Sequence, residues 1–405
     1  MLTFSARFTP ASAAPYVDRR VTAIPSAELR ALPGSALVDP RRQHVSVRLR
    51  RYSRPLFFFW AFSQIVALLV LWSSGYGARL RDALKRVIRP VFAMRFAFGA
   101  SLMLVITIGA LPASLARYRV DLTFGLTNQP FIGWFRDGVI STLLDALVLG
   151  AIVACVFELV DRTRLWYLYA MAGLSVVTLA MAFLEPVVVA PLFNTFHTLP
   201  KSAPQRAPLL ALARRAGIGD APIVVSNDSR KTLTAIADVS GFGPTKRIVL
   251  GDALLANATT GEVLFLSARE FGHYAHADDF RLSLFWTFLL MACTALAVVI
   301  ADRVGFRRDD DPLARLSIVF ALLGTLGLLA TPIYNSYSRN LESRADAYAL
   351  ALTGDRISAV RAYVRFADET LAPLCPSRLV RIYFYNSPPL GTRIARADGK
   401  TNPCP

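Results

Sequence analysis

The chain has 405 residues, of which 54% are hydrophobic and only 18% charged, and its formal net charge is +17. A soluble domain carries about 25% charged residues, so this deficit and the long apolar runs behind it predict a bilayer protein. The basic residues lie at the ends of the apolar runs, where anionic lipid headgroups attract them, and this placement argues against a nucleic-acid partner. We therefore expect an integral, multi-pass membrane protein that contacts membrane lipids, in the plasma or inner membrane if the cell is bacterial.

Residues 1–45 contain no apolar run of signal-peptide length, and they are expected to form a polar, weakly ordered leader. Six later stretches are long enough to cross a membrane: roughly 55–75, 97–116, 138–159, 165–186, 282–302 and 315–334. Basic residues flank the first of these on both sides, so the positive-inside rule does not decide the orientation. The sequence has no internal repeat, which disfavours an inverted-repeat transporter.

A segment of mixed polarity separates the fourth span from the fifth. It contains a helical pattern at 208–216, a β-branched run at 222–226, a hairpin at 239–250 and an amphipathic helical pattern at 262–276. The chain is therefore predicted to be mainly α, with about six membrane spans and an inserted small α+β domain. Its predicted parts are the leader at 1–45, a four-span membrane domain at 46–189, the inserted domain at 190–281, two further spans at 282–334, and a polar C-terminal part at 335–405.

The four cysteines fall into two pairs. Cys155 and Cys293 lie inside apolar runs and are expected to be small core residues. Cys375 and Cys404 lie in the polar C-terminal part, where they can pair only if that part faces an oxidising compartment. No CxxC spacing indicates a cysteine metal site.

The most informative segment is the helical stretch EVLFLSAREFGHYAH at 262–276. A zinc-peptidase helix reads HExxH, because two histidines four residues apart share one helical face and hold the metal. The glutamate between them deprotonates the metal-bound water. In this chain Glu270 and His273 match that motif, whereas Arg269 stands in place of the first histidine. Taken alone, ExxH is a weak signal that ordinary surface helices also carry.

The surrounding motifs strengthen this signal. The stretch SRNLESRADAYALALTG at 338–354 is similar to the SRxxExxAD stretch of the CAAX prenyl protease 1 family of membrane zinc endopeptidases. Further segments at 124–129, 190–200 and 240–255 resemble that family in the same order, and SPPLGTRI at 387–394 resembles its C-terminal HPxxxxRI element. The resemblance covers roughly residues 46–395 without large gaps.

This resemblance implies a helical membrane chamber with a zincin-like domain at one end, facing the cytoplasm. It also implies zinc as the cofactor and peptide or lipidated protein chains as substrates. Carried over residue by residue, it makes His273 and Glu342 metal ligands. The same carry-over makes Glu270, Asp346 and Arg393 catalytic residues.

Several positions depart from the family pattern. Arg269 replaces the first zinc histidine, and Ser387 replaces a histidine that is thought to stabilise the developing oxyanion. Ile236 and Asp238 stand where the family has the Asn and Tyr of an Asn-Ala-Tyr substrate-binding strand. His276 lies three residues after His273 and is a possible alternative ligand.

Arg269 has the largest physical consequence, because a guanidinium stays protonated and offers no lone pair to a metal. Zinc sites use three or four protein ligands, and only two remain at family positions. We therefore expect Arg269 to replace the charge of the metal and to pair with Glu270, Glu342 or both. The favoured hypothesis is a pseudopeptidase that acts as a membrane binding or regulatory module. The alternative is an active zinc endopeptidase with a modified site, and a transporter or channel is a remote third.

Overall fold

The computed structural model describes residues 19–219, 221–303 and 312–404. Helices account for most of this chain, and one small sheet completes it. The helices are α1 (Arg19–Ala23), α2 (Ser26–Ala31), α3 (Pro40–Ser73), α4 (Tyr76–Val87), α5 (Val91–Thr123), α6 (Phe131–Arg162), α7 (Trp166–Leu184), α8 (Ala190–Phe193), α9 (Arg206–Arg215), α10 (Asp252–Asn257), α11 (Thr260–Ala275), α12 (Asp278–Arg303), α13 (Leu316–Thr353), α14 (Arg356–Glu369), α15 (Arg378–Phe384) and α16 (Leu390–Asp398).

Five helices are long and apolar enough to cross a membrane, namely α3, α5, α6, α12 and α13. The remaining predicted span, 165–186, coincides with α7, whose described apolar stretch Trp166–Thr178 is shorter than those of the other five. This arrangement confirms the predicted polytopic membrane fold. The predicted boundary at 334/335 is wrong, because α13 continues without a break from the membrane span to Thr353. The last span and the segment carrying Glu342 are one helix.

Small residues let the membrane helices pack closely. A Cβ added at Gly99 of α5 would lie 2.9 Å from Cβ of Val153 on α6. A Cβ added at Gly109 would lie 2.7 Å from Cβ of Ala67 on α3. Close backbone approach of this kind is how helices associate in lipid, where apolar burial alone supplies little driving force. These contacts join α3, α5 and α6 into one membrane unit.

A four-stranded sheet forms the centre of the inserted domain. Its strands are β1 (Phe196–Thr198), β2 (Ile223–Ser226), β3 (Ala237–Ser240) and β4 (Arg247–Gly251), in the order β1-β2-β4-β3. Strands β3 and β4 pair antiparallel, which confirms the predicted hairpin, and β2 and β4 pair parallel. Strand β3 is an edge strand, so one side of its backbone is left without a partner strand in the described sheet.

The expectation of a weakly ordered leader is wrong for residues 19–45. Val21, Leu29 and Leu37 are buried in the same core cluster as residues of α9, α11 and α14. The backbone N–H of Asp39 donates to Asp368 Oδ1 at 3.0 Å, which joins the start of α3 to α14. Residues 1–18 of the predicted leader lie outside the described residues. The N-terminal segment from Arg19 onwards is therefore part of the inserted domain's core.

The C-terminal part folds into α14, α15 and α16. Cys375 and Cys404 are joined by a disulfide that closes this part of the chain on itself. The expectation that Cys155 is a core residue is wrong, because its side chain is exposed on α6, and Cys293 is only half-buried. Cys155 therefore lies on the outer surface of a membrane helix, where the surrounding lipid replaces a protein core.

Candidate functional site

Helix α11 carries the HExxH-like motif, and its start is held by a capping box. The backbone N–H of Thr259 donates to Glu262 Oε2 at 2.8 Å, and the backbone N–H of Glu262 donates to Thr259 Oγ1 at 3.3 Å. These bonds satisfy backbone groups that the first helical turn leaves open. Glu262 is fully buried, and Arg365 of α14 donates to it at 2.8 Å. The capping box thus sets the first residue of α11, and the contact between Glu262 and Arg365 holds its N-terminal end against α14.

The other end of α11 lies tightly against α13. A Cβ added at Gly272 would lie 3.1 Å from the ring of Tyr348, so a larger residue would require that ring to shift. Phe265, Ala268 and Phe271 are completely buried in the domain core. This packing brings the motif face of α11 against the SRxxExxAD part of α13, as the family resemblance implied.

Arg269 lies between carboxylates from both helices. Its Nη1 donates to Glu270 Oε1 at 2.7 Å, and its Nη2 donates to Glu342 Oε2. Its Nε lies 3.3 Å from Asp346 Oδ1. The side chains of Arg269, Glu270 and Glu342 are 17–18% exposed, so all three charges are largely removed from water. The structure therefore shows the expected pairing with both glutamates and adds a third contact, to Asp346.

Burial and the neighbouring charges change the pKa values of Arg269 and Glu270. Burial and the nearby Arg393 would lower the pKa of Arg269, but Glu270, Glu342 and Asp346 outweigh them and raise it. Burial raises the pKa of Glu270, while Arg269 and His273 oppose that rise. Arg269 accordingly stays a cation over any accessible pH, and it is the permanent positive charge of the site.

His273 lies between two acidic groups. Its Nδ1 donates to Asp278 Oδ2 at 3.1 Å, and its Nε2 lies 3.7 Å from Glu342 Oε1. Asp278 is 2% exposed and also accepts a hydrogen bond from Arg344. A carboxylate that orients an imidazole in this way is the usual outer partner of a metal-ligating histidine. His273 is therefore oriented by a buried carboxylate and lies beside Glu342.

A second cluster lies one helical turn further along α13. Arg393 of α16 donates to Asp346 from Nε at 2.8 Å and from Nη2 at 2.6 Å, a bidentate pair. Tyr363 of α14 donates from its hydroxyl to Asp346 Oδ1 at 2.7 Å. Asp346 and Tyr363 raise the pKa of Arg393 although burial opposes that rise, and burial raises the pKa of Tyr363. This cluster ties three helices together.

The residues present do not fit a zinc ion. Only His273 and Glu342 offer lone pairs at family positions, and the guanidinium of Arg269 hydrogen-bonds to the second of them. His276 lies at the C-terminal end of α11, where its Nδ1 is 2.7 Å from the carbonyl of Gly272 and its ring packs edge-on against Tyr348. Across residues 19–219, 221–303 and 312–404, no group of three His, Cys, Asp or Glu side chains is placed to hold a metal.

The two other departures lie outside this ion-pair cluster. Ser387 is half-buried, and its hydroxyl lies 3.5 Å from Oδ1 of the exposed Asn386. Asp238 lies on the edge strand β3 beside the half-buried Ile236, and its side chain remains accessible. Crowding by protein and the negative charges of Glu270, Asp279 and Glu185 raise the pKa of Asp238 to about 7.

Two residues that shape the site were not found from the sequence. Tyr363 follows a helical apolar pattern and has no motif of its own, so only its contact with Asp346 reveals it. Asp278 lies five residues after His273, and its spacing alone does not distinguish it from the neighbouring Asp279. Both act through tertiary contacts that single-sequence patterns do not encode.

Comparison with known families agrees with this geometry. Residues 205–401 match Peptidase family M48, and residues 44–195 match the family described as CAAX prenyl protease N-terminal, five membrane helices. The second match spans α3, α5, α6 and α7, whereas the long apolar helices α12 and α13 lie within the range of the first. Together the two matches cover the membrane part and the inserted domain.

Individual relatives extend over most of the chain. The uncharacterized metalloprotease YhfN of Bacillus subtilis is 28% identical over 376 residues, which is 91% of this chain and 88% of YhfN. The CAAX prenyl protease 1 homolog of Arabidopsis thaliana is 28% identical over 319 residues, covering 75% of this chain and 73% of the homolog. The crystal structure of Ste24p from S. mikatae matches the fold with a TM-score of 0.75, covering 93% of this chain and 94% of that one at 22% identity.

The fold and the paired helices α11 and α13 define an integral membrane protein with a metallopeptidase architecture. The chain belongs to the CAAX prenyl protease 1-like family of membrane M48 peptidases. Within this chain, Arg269 lies between Glu270 of its own helix and Glu342 of α13.

Proposed function

We propose that this protein is a pseudopeptidase, a member of the family that keeps the fold and uses it to bind membrane-associated chains. The observation that carries the proposal is the position of Arg269. Its guanidinium contacts Glu270, Glu342 and Asp346 at once, which places a fixed cation among the acidic groups of the site. The same substitution removes a ligand and supplies the charge that would otherwise be missing.

The positive charge of Arg269 offsets the repulsion between the carboxylates of the site. Three carboxylates gathered in a largely water-excluded site repel one another, and without a cation one of them would take up a proton. Arg269 removes that penalty, and it also repels any dication that approaches His273 and Glu342. Glu270, the residue that the family uses as a base, accepts a hydrogen bond from Arg269 and is therefore held in an ion pair. The site is stabilised as a structural junction between α11 and α13.

Two surfaces support binding of a lipid-modified peptide. A cavity of about 690 Å³ lies between the membrane helices and is lined mainly by apolar and aromatic side chains, including Trp60, Phe320 and Tyr334. Tyr334 is eight residues before Glu342 on α13, about 12 Å along the helix axis. Edge strand β3 offers unpaired backbone groups to an extended chain. A peptide lying along β3 would thus hold an attached lipid near an apolar membrane cavity.

Metal analysis of purified full-length protein tests this proposal. We expect the wild-type chain to contain well under one zinc ion per molecule after zinc loading and desalting. Arg269→His should raise the zinc content toward about one per chain, because it completes the HExxH face of an intact helix. It should not restore full peptidase activity, because Ser387 and the strand at 236–238 remain altered.

The matched control is Arg86→His, which adds a histidine to the exposed surface of α4, away from the site. Its zinc content should equal that of the wild type. Stoichiometric, chelator-removable zinc in the wild-type chain would overturn the proposal and favour an active peptidase with a modified site. Turnover by Arg269→His comparable to that of active relatives would show that the other departures do not matter.

A further inference from the structure

The long helices have two ends with different surroundings. At one end, here called the domain end, the loop before α6 contacts the inserted domain, since Thr127 donates to the carbonyl of Lys231 at 2.8 Å. At the opposite end, here called the loop end, α4 packs beside the start of α13, where a Cβ added at Gly77 would lie 3.3 Å from Ser317 Oγ. The site, the sheet and the C-terminal helices α14 and α16 all lie at the domain end.

The disulfide belongs to the domain end. Cys375 lies between α14 and α15, Cys404 lies near the C-terminus, and their Cα atoms are 5.1 Å apart. The bridge packs on Gly391 of α16, where an added Cβ would lie 2.6 Å from Cys404 Sγ and 3.0 Å from Cys375 Sγ. The glycine therefore leaves the space that the bridge fills. The bridge is built into the packing of α16, the helix that carries Arg393.

Disulfides persist in oxidising compartments and are rare in the cytosol, where glutathione and thioredoxin keep thiols reduced. From this bridge we infer that the domain end, with the peptidase-like site, lies on the oxidising side of the membrane. Forming the bond removes two protons and two electrons from the two thiols, and a protein disulfide of that compartment accepts them by thiol–disulfide exchange. If the proposed binding function holds, the bound chains reach the site from that side. The family resemblance implied the opposite orientation.

In the inferred orientation the loop end faces the cytoplasm, and the connections at that end are basic. Short cytoplasmic loops are enriched in Lys and Arg, whereas long domains cross the membrane largely regardless of charge. The loop-end connections are rich in basic residues: Arg79, Arg81, Lys85, Arg86, Arg89, Arg162, Arg164, Arg303 and Arg315. The short connection between α5 and α6 at the domain end, residues 124–130, contains none, and the helix turns that flank it carry Arg117, Arg119 and Arg136.

A larger basic cluster, at residues 41–54, also lies at the domain end and opposes this bias. Two of its members have structural partners there. Arg42 donates to the carbonyl of Asp368 at 2.9 Å, and Arg50 donates to the carbonyl of Leu371 at 3.2 Å. These two arginines hold α3 against the end of α14. The disulfide therefore carries the inference, and the connecting loops support it.

Counting thiols in the full-length protein gives the first test. Cells that express the chain are lysed in denaturant and alkylated with polyethylene-glycol maleimide, with or without prior reduction. We expect two additions without reductant, at Cys155 and Cys293, and four after reduction. Cys375→Ser combined with Cys404→Ser should give two additions in both cases. Four additions without reductant would overturn the inference.

Labelling from outside the cell tests orientation directly. In a Cys155→Ala, Cys293→Ala background that retains the bridge, one cysteine is added at the domain end, Ser202→Cys, or at the loop end, Arg86→Cys. Both positions are exposed. A membrane-impermeant maleimide should label Ser202→Cys in intact cells and Arg86→Cys only after permeabilisation, and the reverse pattern would overturn the inference. Neither result depends on zinc, so a failure here is distinguishable from a failure of the pseudopeptidase proposal.

Discussion

Two charged clusters lie one helical turn apart on α13, and they differ in how they are held. In the first, Asp346, Arg393 and Tyr363 come from three helices and are almost completely buried. In the second, Arg269 joins Glu270 and Glu342, and these side chains keep 17–18% of their surface exposed. All three residues of the first cluster are hydrogen-bonded to one another, whereas in the second Arg269 pairs with both glutamates.

This difference in burial determines how strongly each cluster is tied to the stability of the fold. Removing any member of the Asp346 cluster would leave a buried charge or hydroxyl without its partner, which is costly whatever the protein does. At the Arg269 cluster only a positive charge is needed to balance the carboxylates. A guanidinium meets that need without a metal. The first cluster is required by the fold, and the second is required by charge balance alone.

The largest expected effect comes from breaking the first cluster. Arg393→Met should lower the free energy of unfolding by about 3–5 kcal/mol, because it strands the buried carboxylate of Asp346. Thermal and denaturant unfolding of the full-length protein in detergent measure this loss. Arg396→Met is the matched control, since Arg396 is exposed on the same helix, and it should change stability by less than about 0.5 kcal/mol. Equal effects of the two substitutions would contradict the comparison.

A smaller effect is expected at the second cluster, because its side chains are partly hydrated. Arg269→Ala should cost about 2 kcal/mol, less than a fully buried pair, since one of the freed carboxylates can take up a proton. The double variant Arg269→Ala, Glu342→Gln should cost less than the sum of the single changes, with a coupling of about 1 kcal/mol. Arg281→Ala, an exposed position on α12, combined with Glu342→Gln is the additive control. Strict additivity of the first pair would show that Arg269 does not stand in for the metal charge.

Sequence periodicity predicted much of the fold because the patterns involved are local. The apolar runs, the hairpin around β3 and β4, and helix α11 each carry their own repeat of apolar residues. The break placed at 334 failed because the change from apolar to polar residues within α13 looks like the end of a helix. Nothing interrupts the backbone there, and Pro332 lies inside the helix, as membrane helices tolerate.

Other features were beyond prediction because they depend on distant partners. Val21, Leu29 and Leu37 lie in a segment without a continuous apolar run, and their burial depends on a surface that includes residues far along the chain, such as Leu209 and Phe265. The same holds for Tyr363 in the site. In contrast, the site residues of α11 and α13 were found from motifs, because their spacing within each helix is local even though the two helices are far apart in sequence.

The smallest expected effect concerns Asp238, which extends the comparison to the accessible rim of the site. Its carboxyl has a pKa raised to about 7 by crowding and by Glu270, Asp279 and Glu185, whereas an unfolded aspartate titrates near about 3.9. Between these values the folded state binds more protons than the unfolded state, so stability from this group is present at low pH and lost as pH rises through about 7. Because the side chain is accessible, solvent screening should keep the loss below about 1 kcal/mol. Asp238→Asn should therefore flatten the decline in melting temperature between about pH 4 and pH 7, the window set by these two pKa values, measured in the same detergent. If the melting temperatures of wild type and Asp238→Asn changed in parallel with pH, the raised pKa of Asp238 would have no measurable effect on stability. The unfavourable electrostatics would then be confined to the cluster around Arg269.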